Sequence, residues 1–324
     1  MSVPHLARYL SASETRSGEA IANELGCSRT AVWKHVESLR QLGIDIDAVA
    51  GQGYRLKEPL ELLDQSVILA GVNPLIRAQL RQLIIEASID STNSALQRLP
   101  VIQQHATTVL AEHQFTGRGR RGRQWHSPFG RNLYLSLGWK FEQSLSELGC
   151  LPLVVALATA QALTRAGFKG HQVKWPNDLL FDGRKLCGCL VEVQGDSQGP
   201  CHAVLGVGIN VHMPVSELTN GIDQPWTDVR SQLQDCSRND LAALLLEELV
   251  RHLDIFAGQG FKPFGEAWEE MDGLFGQTIE VFAGKECFRG TAGGIDELGA
   301  LMLDTGEEVL KFYSGEVSLH KTKI

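Results

Sequence analysis

No run in the 324 residues approaches the ~18 consecutive apolar side chains that a membrane-crossing helix needs. The opening Met1-Ser2-Val3-Pro4-His5 has no basic region followed by an apolar one, so no secretory signal is expected. Cysteine is sparse. The seven residues, Cys27, Cys150, Cys187, Cys189, Cys201, Cys236 and Cys287, form an odd, scattered set that fits a reducing cytoplasm better than a disulfide framework. Only Cys187 and Cys189 stand close enough to suggest a metal, and no second Cys or His pair at zinc-finger spacing accompanies them. At i and i+2 of a strand they read as small buried side chains. A surplus of positive charge is also missing. The net charge is −8, yet residues 1–60 are neutral, with seven basic and seven acidic side chains, so the whole deficit falls on the rest. The neutral segment tolerates DNA without being a basic patch of the usual kind. There is no internal repeat or low-complexity tract. The length implies two or three domains, and 21% charged with 43% hydrophobic residues describes an ordinary globular chain.

The unusual stretch is Gly117-Arg118-Gly119-Arg120-Arg121-Gly122-Arg123, followed by Gln124-Trp125. Four arginines and three glycines suit neither a core strand nor a helix, so a mobile cationic loop is expected. Such a loop fits an anion, through guanidinium forks and glycine-freed amides. It spells G-x-G-x-x-G, but Pro128 and Gly130 stand where a dinucleotide-binding helix would propagate, and no Walker Gly-Lys-Ser/Thr follows. Its flanks read as strands, Thr107–His113 before it and Leu133 to Lys140 after it. In the second, Leu133, Leu135, Leu137 and Trp139 alternate with Tyr134, Ser136 and Gly138, the pattern of a half-buried strand. A cationic loop joining two strands of one sheet makes a lid over a sheet-based pocket.

Taken in order, the chain starts with Leu6, Tyr9 and Leu10 at helical spacing over residues 5–12, and two further helices follow. Ser17 caps the one carrying Ile21, Ala22 and Leu25, and Ser28 caps the next, with Val32, Val36 and Leu39 inward. Ser28, Arg29, Thr30, Trp33, Lys34 and Arg40 lie at its start or on its outward side. A hairpin through Gly51-Gln52-Gly53 follows, so the unit reads as a winged helix-turn-helix that binds DNA or a protein. Residues 57–82 carry no motif. Ile89-Asp90-Ser91-Thr92-Asn93 ends an apolar run and opens a helix, a place where small ligands often bind. A long apolar helix with almost no charge spans Gly149 to Ala166. Lys174-Trp175-Pro176-Asn177-Asp178 and Arg184-Lys185-Leu186-Cys187-Gly188 flank a hairpin turning at Asp182-Gly183. From Gly276 short strands and turns suggest a small β-barrel.

The Gly-Arg loop, Lys-Trp-Pro-Asn-Asp and Arg-Lys-Leu-x-Gly, in that order, resemble the signature set of biotin protein ligases, and the whole chain resembles their bifunctional, DNA-binding bacterial type. The fold implied is α+β: a winged helix-turn-helix (residues 1–60), a central mixed-sheet α/β ligase domain (61–271) and a C-terminal SH3-like β-barrel (272–324). The resemblance implies biotin binding by Ser91, Thr92, Asn93, Gln114, Arg118, Gly119, Arg120, Lys185 and Gly188. It places ATP on Arg121, Trp125, Lys174, Asn177 and Asn210, and Mg²⁺ on Asp178. Gly206 and Gly208 would lie beside the ligand, and residues 211–236 would form a second lid. Catalysis would fall to Lys185, Arg118 and Arg120. It implies no prosthetic group. Implied partners are a biotin carboxyl carrier protein, operator DNA at Ser28, Arg29, Thr30, Trp33 and Lys34, and a second copy of the chain once adenylate is bound. A cytoplasmic location and no membrane are expected. The reaction explains these residue types, because joining a carboxylate to the α-phosphate of ATP brings two anions together. Two other readings stay open: a transcription factor that only senses a small molecule, and a lipoate or other acyl ligase.

Overall fold

The computed structural model describes residues 6–196, 199–213 and 222–319. Ser17 accepts the Ala20 amide at 3.0 Å and opens α1 (Gly18–Glu24); Ser28 accepts that of Ala31 at 3.2 Å and opens α2 (Arg29–Gln41). Each serine satisfies an amide that the first turn would leave unpartnered. β1 (Ile46–Val49) and β2 (Gly53–Leu56) form the antiparallel wing. Ile21, Val32, Val36, Leu39 and Ile46 close a small core, which Phe129 joins from far along the chain. The supposedly featureless residues 57–82 hold α3 (Gln65–Gly71), capped by Asp64, and α4 (Pro74–Gln79), capped by Asn73.

The centre is a seven-stranded sheet. β3 (Gln82–Glu86) lies parallel to β4 (Thr107–Ala111), with α5 (Thr92–Gln97) and α6 (Val101–Gln104) between them in the chain. The remaining pairings are antiparallel: β4 with β5 (Leu133–Phe141), then β9 (Gly199–Ile209), β8 (Arg184–Asp196), β7 (Asp178–Phe181) and β6 (His171–Lys174). One face packs α7 (Leu151–Arg165) and α8 (Arg238–Gln259), and the other carries α5, whose Leu96 meets Val109 and Val204. The segment Leu145–Arg165 is long and apolar enough to cross a membrane by composition, but 67% of it is buried here. Cys187 and Cys189 are buried in the same core, as their spacing suggested. Burial pushes the Cys187 thiol well above its ordinary pKa, which keeps it protonated and unreactive.

β5 departs from expectation, because both its faces are buried. The side bearing Tyr134, Ser136 and Gly138 meets α5 and a cleft instead of solvent, and a Cβ at Gly138 would strike the Gln104 carbonyl. Past α9 (Gly265–Met271), β10 (Thr278–Ala283), β11 (Glu286–Ile295), β12 (Leu301–Asp304), β13 (Val309–Phe312) and β14 (Glu316–Leu319) make a five-stranded antiparallel sheet, ordered β13-β12-β11-β10-β14. The Trp175 indole N–H donates to the Gly299 carbonyl at 3.1 Å and ties it to the central sheet.

Arg238, 2% exposed, pins these layers. It donates to the Asn132 carbonyl at 2.9 Å, the Glu61 carbonyl at 2.7 Å and the Glu112 carboxylate at 2.8 Å. Glu112 is equally buried and also accepts the Leu63 amide at 2.6 Å. Removing one partner of a buried pair leaves an uncompensated charge. Arg238→Met is therefore expected to lower the unfolding free energy by about 3–5 kcal/mol in urea titrations, and adding Glu112→Gln should restore part of the loss.

Candidate active site and helix-turn-helix face

β5, β9 and β8 floor a cleft beneath residues 117–125, with the start of α5 at one end and residues 174–178 at the other. It contains about 1010 Å³ of empty space, part of it open to solvent, which suits a small-molecule site.

The α5 end is polar and uncharged. Ser91 stands at the N-cap position of α5 and is buried, but its hydroxyl makes no capping bond. The Thr92 amide and hydroxyl donate to Gln114 Oε1 at 2.8 and 3.2 Å, and Gln114 Nε2 donates to Ser127 at 3.1 Å. Ser136 Oγ lies 2.7 Å from Thr92 Oγ1 and 2.5 Å from Asn93 Oδ1. Asn93 Nδ2 donates to the Leu190 carbonyl at 3.3 Å and to Glu192 at 2.8 Å. Buried donors and acceptors of this kind recognise a neutral polar ring, since any left unmatched is costly.

The other end is cationic. Lys185 Nζ sits 2.9 Å from Asp178 Oδ2 and 5.5 Å from the Trp125 ring centroid. Burial lowers the pKa of Lys174 from its ordinary value, partly offset by Asp178. Arg120 donates to Asn177 Oδ1 and the Gly315 carbonyl, each at 3.0 Å. Arg118 pairs with Glu192 at 3.0 Å, while Arg121 and Arg123 pair with Glu316 at 3.2 and 2.5 Å. The loop was expected to be mobile, with Arg118 and Arg120 turned on the ligand. It lies folded over the cleft, with Arg118 and Arg120 among the lining residues, Gly119 N–H on the Arg123 carbonyl at 2.7 Å and Trp125 N–H on that of Gly117 at 2.8 Å.

The cleft gathers Ser91, Thr92, Asn93 and Gln114 at one end and Lys174, Asn177, Asp178 and Lys185 at the other; Arg118, Gly119, Arg120, Trp125 and Gly188 also line it. Two expected residues do not line it. Asn210 is 5% exposed and donates to the Lys185 and Thr227 carbonyls, fixing strand ends. Arg121 is held outward by Glu316. Gly206 and Gly208 make room for protein: a Cβ on the first would hit Asn93, and on the second would come within 2.6 Å of the Trp125 ring. Of the expected second lid, Pro225 and Thr227 hydrogen-bond Lys185 and Gln224 lines the cleft, while residues 214–221 lie outside the described residues. Tyr134, Ser136, Glu192 and Glu316 were missed, and the only signal was a polar residue within a strand; Arg123 was read only as part of the cationic loop.

The two carboxylates that line the cleft, Asp178 and Glu316, and Glu192 beside it each already face a cation. Among the described residues no three His, Cys, Asp or Glu side chains gather to hold a metal. The residues do not form a ready Mg²⁺ cage, and Asp178 is engaged by Lys185.

On α2, Arg29, Thr30, Trp33 and Lys34 are all exposed, and the first three line a groove against the wing turn Gly51-Gln52-Gly53. Ser28 is exposed too, its hydroxyl spent on the helix cap. Arg40, read as outward, instead donates to the Ile46 carbonyl at 2.6 Å and pairs with Glu37.

A helix-turn-helix head, a mixed-sheet cleft with a neutral and a cationic end, and a small closing sheet define a class: ligases that activate a carboxylate behind a DNA-binding type of domain. Three family models match: the HTH domain over residues 5–55, the Biotin/lipoate A/B protein ligase family over 85–210, and the Biotin protein ligase C terminal domain over 274–320. The chain is 36% identical over 319 residues to the bifunctional ligase/repressor BirA of Escherichia coli, covering 98% of this chain and 97% of that one. With the protein of the same name from Bacillus spizizenii it shares 33% over 314 residues, 95% and 94% of the two chains. The solved biotin protein ligase from Aquifex aeolicus in complex with biotin and ATP has a TM-score of 0.64 and 29% identity, covering 75% of this chain and 100% of that one. The chain belongs to the bifunctional ligase/repressor family of biotin protein ligases.

Gly208→Ala should displace the Trp125 indole from its slot and lower stability by about 1–3 kcal/mol. A red-shifted tryptophan emission together with a lower urea midpoint would check this.

Proposed function

We propose that this chain is an ATP-dependent biotin–[biotin carboxyl carrier protein] ligase and a biotin-responsive repressor, with domains at residues 1–60, 61–271 and 272–324. One observation carries the reading: a single cleft joins a neutral hydrogen-bonding end at Ser91, Thr92 and Gln114 to a cationic end at Lys174, Lys185 and Arg120. Biotin has that polarity, with an uncharged ureido ring at one end and a carboxylate at the other.

With the ring at α5, the valeryl chain crosses the sheet and the carboxylate reaches Lys185. The lysine and Arg120 offset the repulsion between carboxylate and ATP phosphates, which is the main electrostatic barrier. A carboxylate oxygen attacks the α-phosphorus, pyrophosphate leaves, and the mixed anhydride biotinoyl-5′-AMP forms. No protein nucleophile is needed. Magnesium enters this reading only as the ion carried on the ATP phosphates. Trp125, beside Lys185, is placed to support the adenine side. The loop at 117–124 keeps water from the anhydride until an acceptor lysine amine attacks its carbonyl, with AMP as leaving group. Adenylate binding then completes a homodimer surface, presenting two α2 helices to a two-fold operator in the cytoplasm.

The test is intact mass spectrometry of a purified biotin carboxyl carrier domain after incubation with this protein, biotin and Mg·ATP. One added biotin, dependent on ATP, is expected; competition by lipoate at equal concentration would instead point to a different acyl substrate. Lys185→Ala is expected to abolish adenylate formation while retaining biotin affinity, and near-normal turnover would remove its assigned role. Arg120→Gly should release activated biotin that labels lysines indiscriminately, seen as scattered modification of a bystander protein. For DNA, Lys34→Ala is expected to weaken operator binding and reduce the log-log salt slope by about 0.9, which titrations at several salt concentrations would read.

A further inference from the structure

We propose that Glu192 is a positioning residue of the ligase reaction, one carboxylate oxygen tying the floor of the neutral end of the cleft to the first arginine of its cover. The role rests on the reading above. Glu192 stands in β8, and its Oε2 accepts from Asn93 Nδ2 at 2.8 Å and from Arg118 at 3.0 Å. A carboxylate oxygen has the lone pairs to serve both. The Ser136 hydroxyl donates to Asn93 Oδ1 and lies 2.7 Å from the Thr92 hydroxyl, and the Thr92 amide donates to Gln114. A chain of hydrogen bonds therefore runs from the groups that face the ring to the guanidinium at the rim.

The loop is anchored at two separate places. Arg120, Arg121 and Arg123 fasten its far side to Asn177, Gly315 and Glu316, while Arg118 is the arginine that fastens its near side, to Glu192, next to Thr116, which bonds the Asp90 carbonyl. The near pair is partly exposed, at 42% for Arg118 and 27% for Glu192, so it adds little to global stability. What it holds is the loop over the ring. Losing the carboxylate charge frees that edge, so the bound adenylate escapes faster, while the phosphorus chemistry at Lys185 keeps its geometry.

Glu192→Gln keeps an oxygen for Asn93 and removes the charge that holds Arg118. Using the full chain loaded with biotin and Mg·ATP, release of biotinoyl-AMP would be followed by rapid filtration. The expectation is release about tenfold faster, the cost of one charge-assisted hydrogen bond. Single-turnover adenylate formation should stay within about twofold, and Tm within about 2 °C. Arg118→Ala should speed release by a similar factor, and the double variant should release no faster than the faster single one. Wild-type release in either single variant, or fully additive effects in the double one, overturns the role. A wild-type chain that forms no biotinoyl-AMP overturns the ligase reading and this role together, and control turnover by a known ligase separates the two failures.

Discussion

Four guanidinium groups within seven residues repel one another, and all four are met by acceptors drawn from three separate parts of the fold. Glu192 comes from β8, Asn177 from the corner before β7, the Gly315 carbonyl and Glu316 from the C-terminal sheet. Were all four turned inward, the cover would be drawn to any anion and held by none in particular. Distributing them fixes the backbone of the loop at two edges while leaving a positive potential over the cationic end. That potential serves a reaction in which both reactants are negative. The same logic explains why Asp178 sits beside Lys185: a lysine at 16% side-chain exposure keeps a compensating charge.

Local chemistry was legible in the sequence. Ser17 and Ser28 were read as caps, and the Asp182-Gly183 turn was read from two residues that do adopt positive φ, 50° and 69°. These features depend on a few neighbouring atoms. The ends of the cleft were legible through the resemblance, since its motifs name Ser91, Thr92, Gln114, Lys174 and Lys185. What failed was anything requiring knowledge of what lies opposite. Ser136 was read as facing solvent because strand alternation cannot tell water from a polar cleft. Glu192 and Glu316 stand far from their arginines in the chain. Asn210, at a strand end, was read as a ligand contact but serves two carbonyls.

The helix-turn-helix face shows a different balance. Its domain has no excess positive charge, so phosphate attraction alone supplies less of the binding than in a basic domain. Correspondingly more would have to come from shape and base contacts in the groove that Arg29, Thr30 and Trp33 line. An arrangement of this kind suits a regulator that should leave DNA when its ligand is absent.

Phe129 lies four residues beyond Trp125, yet its ring is buried in the winged-helix core, and at Gly130 a Cβ would come within 2.6 Å of Leu60. The segment that covers the cleft thus continues directly into the packing of the DNA-reading head. The two units are less modular than their order in the chain implies. Cutting the chain near residue 60 would not yield two complete parts: the head would lose an aromatic side chain from its interior, and the ligase would gain a greasy, unsheltered ring beside its own lid. Ligases that dispense with the head must therefore carry a different residue here, or another way to cover it.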